Sequence, residues 1–465
     1  MNSPFDFVVI GGGSAGYAAA STAVGLGLKV AVIEGGKQVG GLCILRGCMP
    51  SKSLIESANR FITIRRAKEF GLRAEECGVR GGEIIARKRR LIQEFADYRR
   101  EQLEHGEFQF IRGFASFADA NSVEVPTLEG ARMKIAARTF LIATGSKQQI
   151  VNVPGLEVAG FLDSDAVLDS AEIPGSVIVL GGGSTALEFA HYYSGLGVKV
   201  TLVQRSAQVL KEMDEDVVAS LVTAMEKNGV RFFCGTRLVR VEKAGAGKRV
   251  HFQHEGVEKS VQASEIIYAL GRMPATERLE LSRAGIATRD GVLAVNPCQQ
   301  TSVPHIFAAG DAAGPYEIVH IAIQQAEVAA RNAARIVQSA PGPLEEMDYR
   351  LKLSAVFTQP EVAVIGLSER ELKADGRPFM AARYPFADHG KALVIGEPEG
   401  FVKLIAAPGS REILGAAVVG PHASEMIHEI AVAMHFRATA GDLLRVPHYH
   451  PTLSEIWTYP AGQLA

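Results

Sequence analysis

The sequence predicts an α/β protein in which two strand–turn–helix–strand units are followed by a C-terminal α+β domain. Three observations point there. A short apolar run followed by a glycine turn and a small-residue helix pattern occurs twice, at Phe5–Gly27 and at Val177–Leu196. After Pro341-Gly342-Pro343 the texture changes to alternating strands with two helices. The 465 residues are also too many for one hydrophobic core, so two to four domains are expected.

In the first unit, Phe5–Ile10 reads as a buried parallel strand, followed by Gly11-Gly12-Gly13-Ser14-Ala15-Gly16, a helix to about Gly27, and a strand Val30–Ile33 ending on Glu34. Gly11 permits the tight turn, Gly13 lets backbone approach a pyrophosphate, and Gly16 lets helix and strand pack closely. The helix N-terminus would face the phosphates. Glu34, about twenty residues on, can accept from ribose hydroxyls. A purely structural glycine turn is the competing reading, but the strand, helix and terminal acid together favour a Rossmann-like dinucleotide site.

The second unit repeats the pattern with Gly181, Gly183 and Ala186, the third position taking the permitted alanine. Its second strand, Val198–Val203, ends on Gln204 and Arg205 rather than on an acid. A carboxylate there would repel a 2′-phosphate, whereas arginine can bind one, with Lys211 close enough in sequence to assist. NADPH is therefore favoured over NADH. The alternative is that Arg205 is an exposed strand-end charge. Thr139–Ser146, which contains Thr144 and Gly145, closes the first segment, and Ile266–Arg272, with Gly271, closes the second unit. Ile306–Asp311, with Gly310 and Asp311, returns the chain to the first domain.

Cys43 and Cys48 bracket Ile44-Leu45-Arg46-Gly47. A disulfide needs Cα atoms within about 7 Å, whereas an extended segment would hold them roughly 16 Å apart, so the chain would have to coil. Gly40, Gly41 and Gly47 allow that, and Pro50 suits the first turn of a helix through Lys52, Leu54, Ile55 and Ala58. A cysteine at such a helix start has its thiolate favoured by the dipole. A metal site is disfavoured, because no second Cys/His pair stands at zinc-like spacing. Two separate buried thiols remain the alternative, and Cys77, Cys234 and Cys298 read as ordinary buried or half-buried thiols.

His450-Pro451-Thr452-Leu453-Ser454-Glu455 lies near the C-terminus. Pro451 keeps His450 out of helical geometry, and a histidine held by a carboxylate is a good general base for a dithiol. Thr452-x-x-Glu455 is equally a capping box.

The composition is that of an ordinary globular protein, 47% hydrophobic and 22% charged. A net charge of −2 gives no support for a nucleic-acid or anionic-membrane partner. The basic run Arg87-Lys88-Arg89-Arg90 reads as a solvated helix face. No apolar run approaches membrane-spanning length, and Met1-Asn2-Ser3-Pro4 lacks the basic start of a signal peptide. Five scattered cysteines do not suit a stapled secreted domain, so a cytoplasmic location is expected.

Together these motifs resemble the pyridine nucleotide-disulfide oxidoreductase family, in the branch holding dihydrolipoamide dehydrogenase, glutathione reductase and mercuric reductase. The resemblance runs through Gly11–Gly16, residues 40–52, Ala143-Thr144-Gly145, Gly181–Ala186, Gly271–Pro274, Ala309-Gly310-Asp311, Phe357–Glu361 and His450–Glu455. It implies an FAD-binding domain at 1–148 and 272–345, an NAD(P)-binding domain at 149–271 and a dimerisation domain at 346–465. Gly11, Gly13, Gly16, Glu34, Gly41, Lys52, Thr144, Gly145, Gly310 and Asp311 fall on FAD motifs. Gly181, Gly183, Ala186, Glu188, Gln204, Arg205, Lys211 and Gly271 fall on those of the nicotinamide nucleotide. Lys52 and Glu188 match an ion pair beside the flavin, and Asp311 matches the acid on the ribityl chain.

By the same resemblance Cys48 faces the flavin and Cys43 the substrate. His450 is the acid/base, Glu455 orients it, and both come from the partner of a homodimer. The implied activity is FAD-dependent, NAD(P)H-linked dithiol/disulfide exchange, closest to dihydrolipoamide dehydrogenase, on a small or carrier-bound disulfide. Reduction of another acceptor (a glutathione-type disulfide, a quinone, mercuric ion) or soluble transhydrogenation is the alternative. Leu42 and Leu45-Arg46 depart from the family pattern, and Arg46 would put a cation near the pair. His320 and the Thr-Leu-Ser form of the dyad motif favour the dihydrolipoamide branch. The tail Pro460–Ala465 has no cysteine pair, which disfavours mercury.

Overall fold

The computed structural model describes residues 4–465 except Glu76, Glu129 and Asp290. Met1–Ser3, part of the segment read for a signal peptide, lie outside the described residues. Two units organise the chain. The first comprises the segments up to Ser51, Ala86–Ile150 and Gly271–Asp348; the second comprises Lys52–Ile85, Val151–Leu270 and Tyr349–Ala465.

The first unit is built on a parallel sheet in the order Gln109–Arg112, Val30–Glu34, Phe5–Ile10, Arg132–Ile142, Ile306–Ala308. Its strands are continuous apolar runs because both faces are covered. One face packs the helices Ser14–Gly25 and Val319–Val337 through alanines such as Ala19, Ala23, Ala326 and Ala330, all fully buried. The other packs Phe117 edge-on against Phe140, centroids 5.6 Å apart. Small side chains on both helices let them approach closely. Antiparallel strands Ser122–Pro126 and Ser116–Asp119 extend the sheet from the N-terminal half of Arg132–Ile142.

In the second unit a parallel sheet runs Val230–Phe233, Lys199–Val203, Ser176–Leu180, Glu265–Tyr268. Beside it lies a three-stranded antiparallel sheet formed by Arg237–Ala244, Gly247–His254 and Val257–Ala263. The C-terminal part carries five antiparallel strands in the order Leu353–Val356, Glu361–Gly366, Ile413–Gly420, Phe401–Ala406, Met380–Pro385. Ala423–His435, the 3-10 turn Ser454–Trp457 and the closing helix Thr458–Leu464 bury Ile427, Ile430, Trp457 and Ala461 in the same core.

Several expectations need correction. The C-terminal part has five α-helices among the described residues rather than two, because four of them are only 5–7 residues long and carry no periodic signature. Lys88 is only 6% exposed, so the basic run is a solvated face only at Arg87, Arg89 and Arg90. Cys77 is exposed rather than buried. Apart from these corrections, Lys52–Ile85 groups by packing with the second unit, since Leu54, Ile55, Ala58 and Ile85 share a core with Leu187 and Ala190. No helix among the described residues is long and apolar enough to cross a membrane.

Candidate active site

In the first unit the strand Phe5–Ile10 runs into Gly11, whose φ of +112° only glycine adopts freely. A Cβ on Gly11 would stand 2.3 Å from the Ala143 carbonyl, and one on Gly16 would stand 1.8 Å from that of Gly11. The first and third glycines are thus required by backbone contact. Gly13 is different: among the described residues its Cβ would meet only the Gly41 Cα, at 3.6 Å, so its outer side stays approachable. Gly41, at φ +70°, leans on Gly13 so closely that its own Cβ would lie 2.6 Å from the Gly13 Cα.

The helix that follows has no side-chain cap at Gly13, leaving first-turn amides open to an anion. Glu34 accepts from the amides of Gly12 (2.8 Å) and Gly36 (2.5 Å), which places its carboxylate at the mouth of the turn. Thr144 Oγ1 is buried without a hydrogen-bond partner among the described residues, and Gly145 follows at φ +68°. Asp311 accepts from Ser146 Oγ at 2.6 Å, and Ser146 is held by Arg272 Nε at 2.8 Å. Gly310, at φ +69°, donates to buried Gln325 (2.8 Å). Open amides, an orphaned hydroxyl and terminal carboxylates suit a dinucleotide with a central pyrophosphate.

Cys43 lies in the short helix Gly41–Arg46, and Cys48 is the first residue of the helix Cys48–Arg65. Between them Gly47 turns the chain back. A Cβ there would meet the Leu42 carbonyl at 3.1 Å and the Cys43 Cα at 3.3 Å. The coiling that a 43–48 disulfide would need is therefore present, and both cysteines are half-buried. Pro50 is buried in the first turn, and Ser51 Oγ donates to the Cys48 carbonyl at 3.2 Å.

Arg46 is exposed at the end of its helix. A second cation that the sequence did not flag, Arg99 of the helix Gly81–Glu104, lies with its guanidinium 4.2 Å from the Tyr17 ring centroid. Burial pushes its pKa down, and Tyr17 and Cys43 pull it back up.

In the second unit Gly181 (φ +121°) abuts the Ala269 carbonyl, its Cβ position 2.2 Å away, while the Cβ position of Gly183 meets nothing within 4 Å among the described residues. Ala186 is fully buried, so its methyl fills the helix–strand contact that glycine makes in the first unit. Gln204 is tied down: its backbone donates to the Phe233 carbonyl and accepts from Thr236, and its Oε1 accepts from the Arg205 amide at 3.0 Å. Arg205 is exposed. Lys211 pairs with Glu212 at 3.3 Å, so an assisting role beside Arg205 requires that exposed pair to open. Gly271 falls in the first unit, where its carbonyl accepts from the Gln149 amide. His320 is the second residue of the helix Val319–Val337.

Lys52 Nζ lies 2.8 Å from both carboxylate oxygens of Glu188, which is 7% exposed, and 4.5 Å from the Phe357 ring centroid. The Phe357 amide donates to Glu188 Oε1 at 3.2 Å. These contacts give the buried carboxylate charge and hydrogen-bond compensation together.

His450 is 79% exposed, and its Nδ1 lies 3.0 Å from Oε2 of Glu455, itself 15% exposed. The Glu455 amide donates to Thr452 Oγ1 at 3.4 Å, so only a weak half of the capping box forms while the carboxylate turns to the imidazole. His389, which sequence reasoning missed, approaches the other oxygen of Glu455, with Nε2 3.5 Å from Oε1. A lone histidine some sixty positions upstream gives no local signal.

Two nucleotide cradles in one chain, one of them sharing its unit with a coiled cysteine pair, describe a dinucleotide-linked sulfur oxidoreductase. Comparison with known proteins makes this specific. Residues 5–326 match the model of the pyridine nucleotide-disulphide oxidoreductases, and residues 353–461 match the dimerisation domain of the same proteins. The chain belongs to that family. It is 34% identical to the dihydrolipoyl dehydrogenase of Chlamydia muridarum, over 99% of this chain and 97% of the relative.

Among solved structures it superposes on LpdA of Mycobacterium tuberculosis with a TM-score of 0.87 at 29% identity, covering 99% of both chains. It also matches the HOCl-induced flavoprotein disulfide reductase RclA of Escherichia coli, TM-score 0.86 at 25% identity over the whole of both chains. The protein is thus an FAD-dependent oxidoreductase that uses a pyridine nucleotide and a redox disulfide, and it carries the family's dimerisation domain.

The contact of Gly41 with the first glycine turn gives a first prediction. Replacing Gly41 by Ala is expected to cost about 1–3 kcal/mol through backbone strain and displacement of Gly13. The flavin-to-protein ratio after dialysis should fall; full retention would show that the Gly13–Gly41 contact does not shape the cradle.

Proposed function

We propose that this enzyme exchanges electrons between NADPH and a lipoyl-type or other small disulfide, with Cys43 meeting the substrate and Cys48 on the flavin side. The observation that carries this is the turn at Gly47, which coils the chain over Cys43 just before the helix that Cys48 opens. Bound FAD would supply the two-electron connection between the thiol pair and the nicotinamide. The residues of the first unit to hold it are Gly11–Gly16, Glu34, Gly41, Thr144, Gly145, Gly310 and Asp311.

In the direction of dithiol oxidation, a substrate thiolate attacks Cys43, the Cys43–Cys48 bond breaks, and Cys48 leaves as a thiolate at the helix start, where the dipole favours the anion. The second substrate thiol gives its proton to His450 and displaces Cys43, so the substrate departs as a disulfide and the pair keeps two electrons. Glu455 stabilises the imidazolium and fixes its orientation. The dyad serves the neighbouring subunit of a homodimer, and the chain divides near residues 148, 271 and 345 into flavin, nucleotide, flavin and interface segments. The low cysteine content supports a cytoplasmic setting.

A side-by-side turnover screen tests this reading, using lipoamide, a glutathione-type disulfide and a quinone with NADH and with NADPH. Turnover of a disulfide, highest for lipoamide, is expected. Quinone turnover alone, undiminished in Cys43→Ser, would overturn it. For the nucleotide, Arg205→Ala is expected to raise KM for NADPH about tenfold and change KM for NADH by less than about twofold, the loss of one charge-assisted contact. Equal effects on both would make Arg205 a surface charge only.

A further inference from the structure

We propose that His389 is a positioning residue of the His450–Glu455 pair, holding the Glu455 carboxylate from the side opposite His450. This rests on reading that pair as the acid–base of the thiol exchange. Glu455 offers one oxygen to each imidazole: Oε2 lies 3.0 Å from His450 Nδ1, and Oε1 lies 3.5 Å from His389 Nε2. The two histidines differ sharply in exposure, at 79% for His450 and 1% for His389.

Neither ring nitrogen of His389 has a hydrogen-bond partner among the described residues. A buried N–H without a partner is unfavourable, so the neighbouring carboxylate oxygen is the acceptor that a small side-chain rotation would bring into range. The ring is clamped for that role. It stands edge-on to Phe386 (centroids 6.3 Å apart, 85°) and to Tyr459 (6.4 Å, 87°), and Tyr459 is itself stacked on Tyr384 at 4.0 Å. Backbone bonds fix the loop: the His389 amide donates to the Phe386 carbonyl, and the Leu393 amide donates to that of His389.

The charge balance suits a neutral donor. Burial, with a smaller push from the His450 charge, lowers the pKa of His389 although Glu455 raises it. The titratable groups around it are Glu455 and His450 on the C-terminal segment, Tyr459 on the closing helix, Tyr384 on the adjoining strand, and Asp388 and Lys391 in its own segment. A neutral His389 N–H aims the Glu455 carboxylate without pairing with its charge, whereas a protonated His389 would compete with His450 for the same carboxylate.

The test uses the FAD-loaded dimer. His389→Phe keeps the volume and the ring contacts but removes the N–H; His389→Gln restores a donor. His389→Phe is expected to lower kcat for disulfide turnover about tenfold, a part of what an acid–base residue contributes. It should also change the pH profile of disulfide turnover, while leaving NADPH-dependent dye reduction at the parent rate. His389→Gln is expected to recover most of kcat. In a Glu455→Gln background His389→Phe should have no further effect, whereas a merely structural role would add its cost in full.

Parent kcat and an unchanged pH profile in folded His389→Phe would overturn the proposal. Should that variant not fold, His389→Asn, too short to reach Glu455, is read by the same criteria. If His450→Ala itself leaves disulfide turnover intact, the acid–base reading of the dyad fails; if only the His389 variants are silent, this inference alone fails.

Discussion

Cys48→Ser is expected to lower disulfide turnover by about 10³-fold or more, while NADPH-dependent dye reduction persists. A serine at the first position of the helix Cys48–Arg65 keeps the backbone and the turn at Gly47, so the fold should be unaffected. What it would remove is the sulfur proposed to pair with Cys43 and to leave as a thiolate at the helix start. The loss corresponds to about 4 kcal/mol of transition-state stabilisation. Steady-state rates with a disulfide and with a dye, on the same preparation, separate the two routes. Equal loss of both would point to a damaged cradle.

His450→Ala has the second largest effect, an expected fall of about 10²–10³-fold in disulfide turnover, again with dye reduction intact. Glu455→Gln should cost less, about tenfold, because the amide can still orient the imidazole but cannot compensate its charge. The carboxylate 3.0 Å from Nδ1 holds the ring in one orientation. The measurement is kcat for the parent, His450→Ala and Glu455→Gln with the same disulfide. A 79% exposed imidazole projecting from a turn is free to act on a thiol outside its own unit, which is how the dyad would serve a neighbouring subunit.

Both nucleotide units were legible because their signals are local. An apolar run, three small residues at fixed spacing and a strand-end residue all fall within a few turns of chain. The expected strand Phe5–Ile10 is the observed one, and Val177–Leu180 begins one residue earlier, at Ser176. The coiling at 43–48 was readable for the same reason. What escaped was determined by distant packing. The antiparallel sheet over residues 237–263 is mostly half-buried and buries only a few strand residues, among them Val241, Val250, Phe252 and Ala263, so no clear alternation marked it. Lys52–Ile85 continues the helix of the cysteine pair in sequence, yet packs with the second unit through Leu54, Ile55 and Ala58. His389 and Arg99 become visible only when tertiary structure sets them beside Glu455 and Tyr17. The Thr452/Glu455 ambiguity needed side-chain geometry, because both readings use the same residues.

Thiol counting on the FAD-loaded enzyme addresses the cysteine pair itself. The protein is alkylated under non-reducing conditions before and after one equivalent of NADPH without oxygen, then digested and mapped by mass spectrometry. The resting enzyme should yield a linked peptide joining Cys43 to Cys48, and NADPH should convert it to two thiols, with Cys43 labelled first. Cysteines already alkylated in the resting enzyme, with a map unchanged by NADPH, would contradict the assignment of Cys43 and Cys48 as the redox centre.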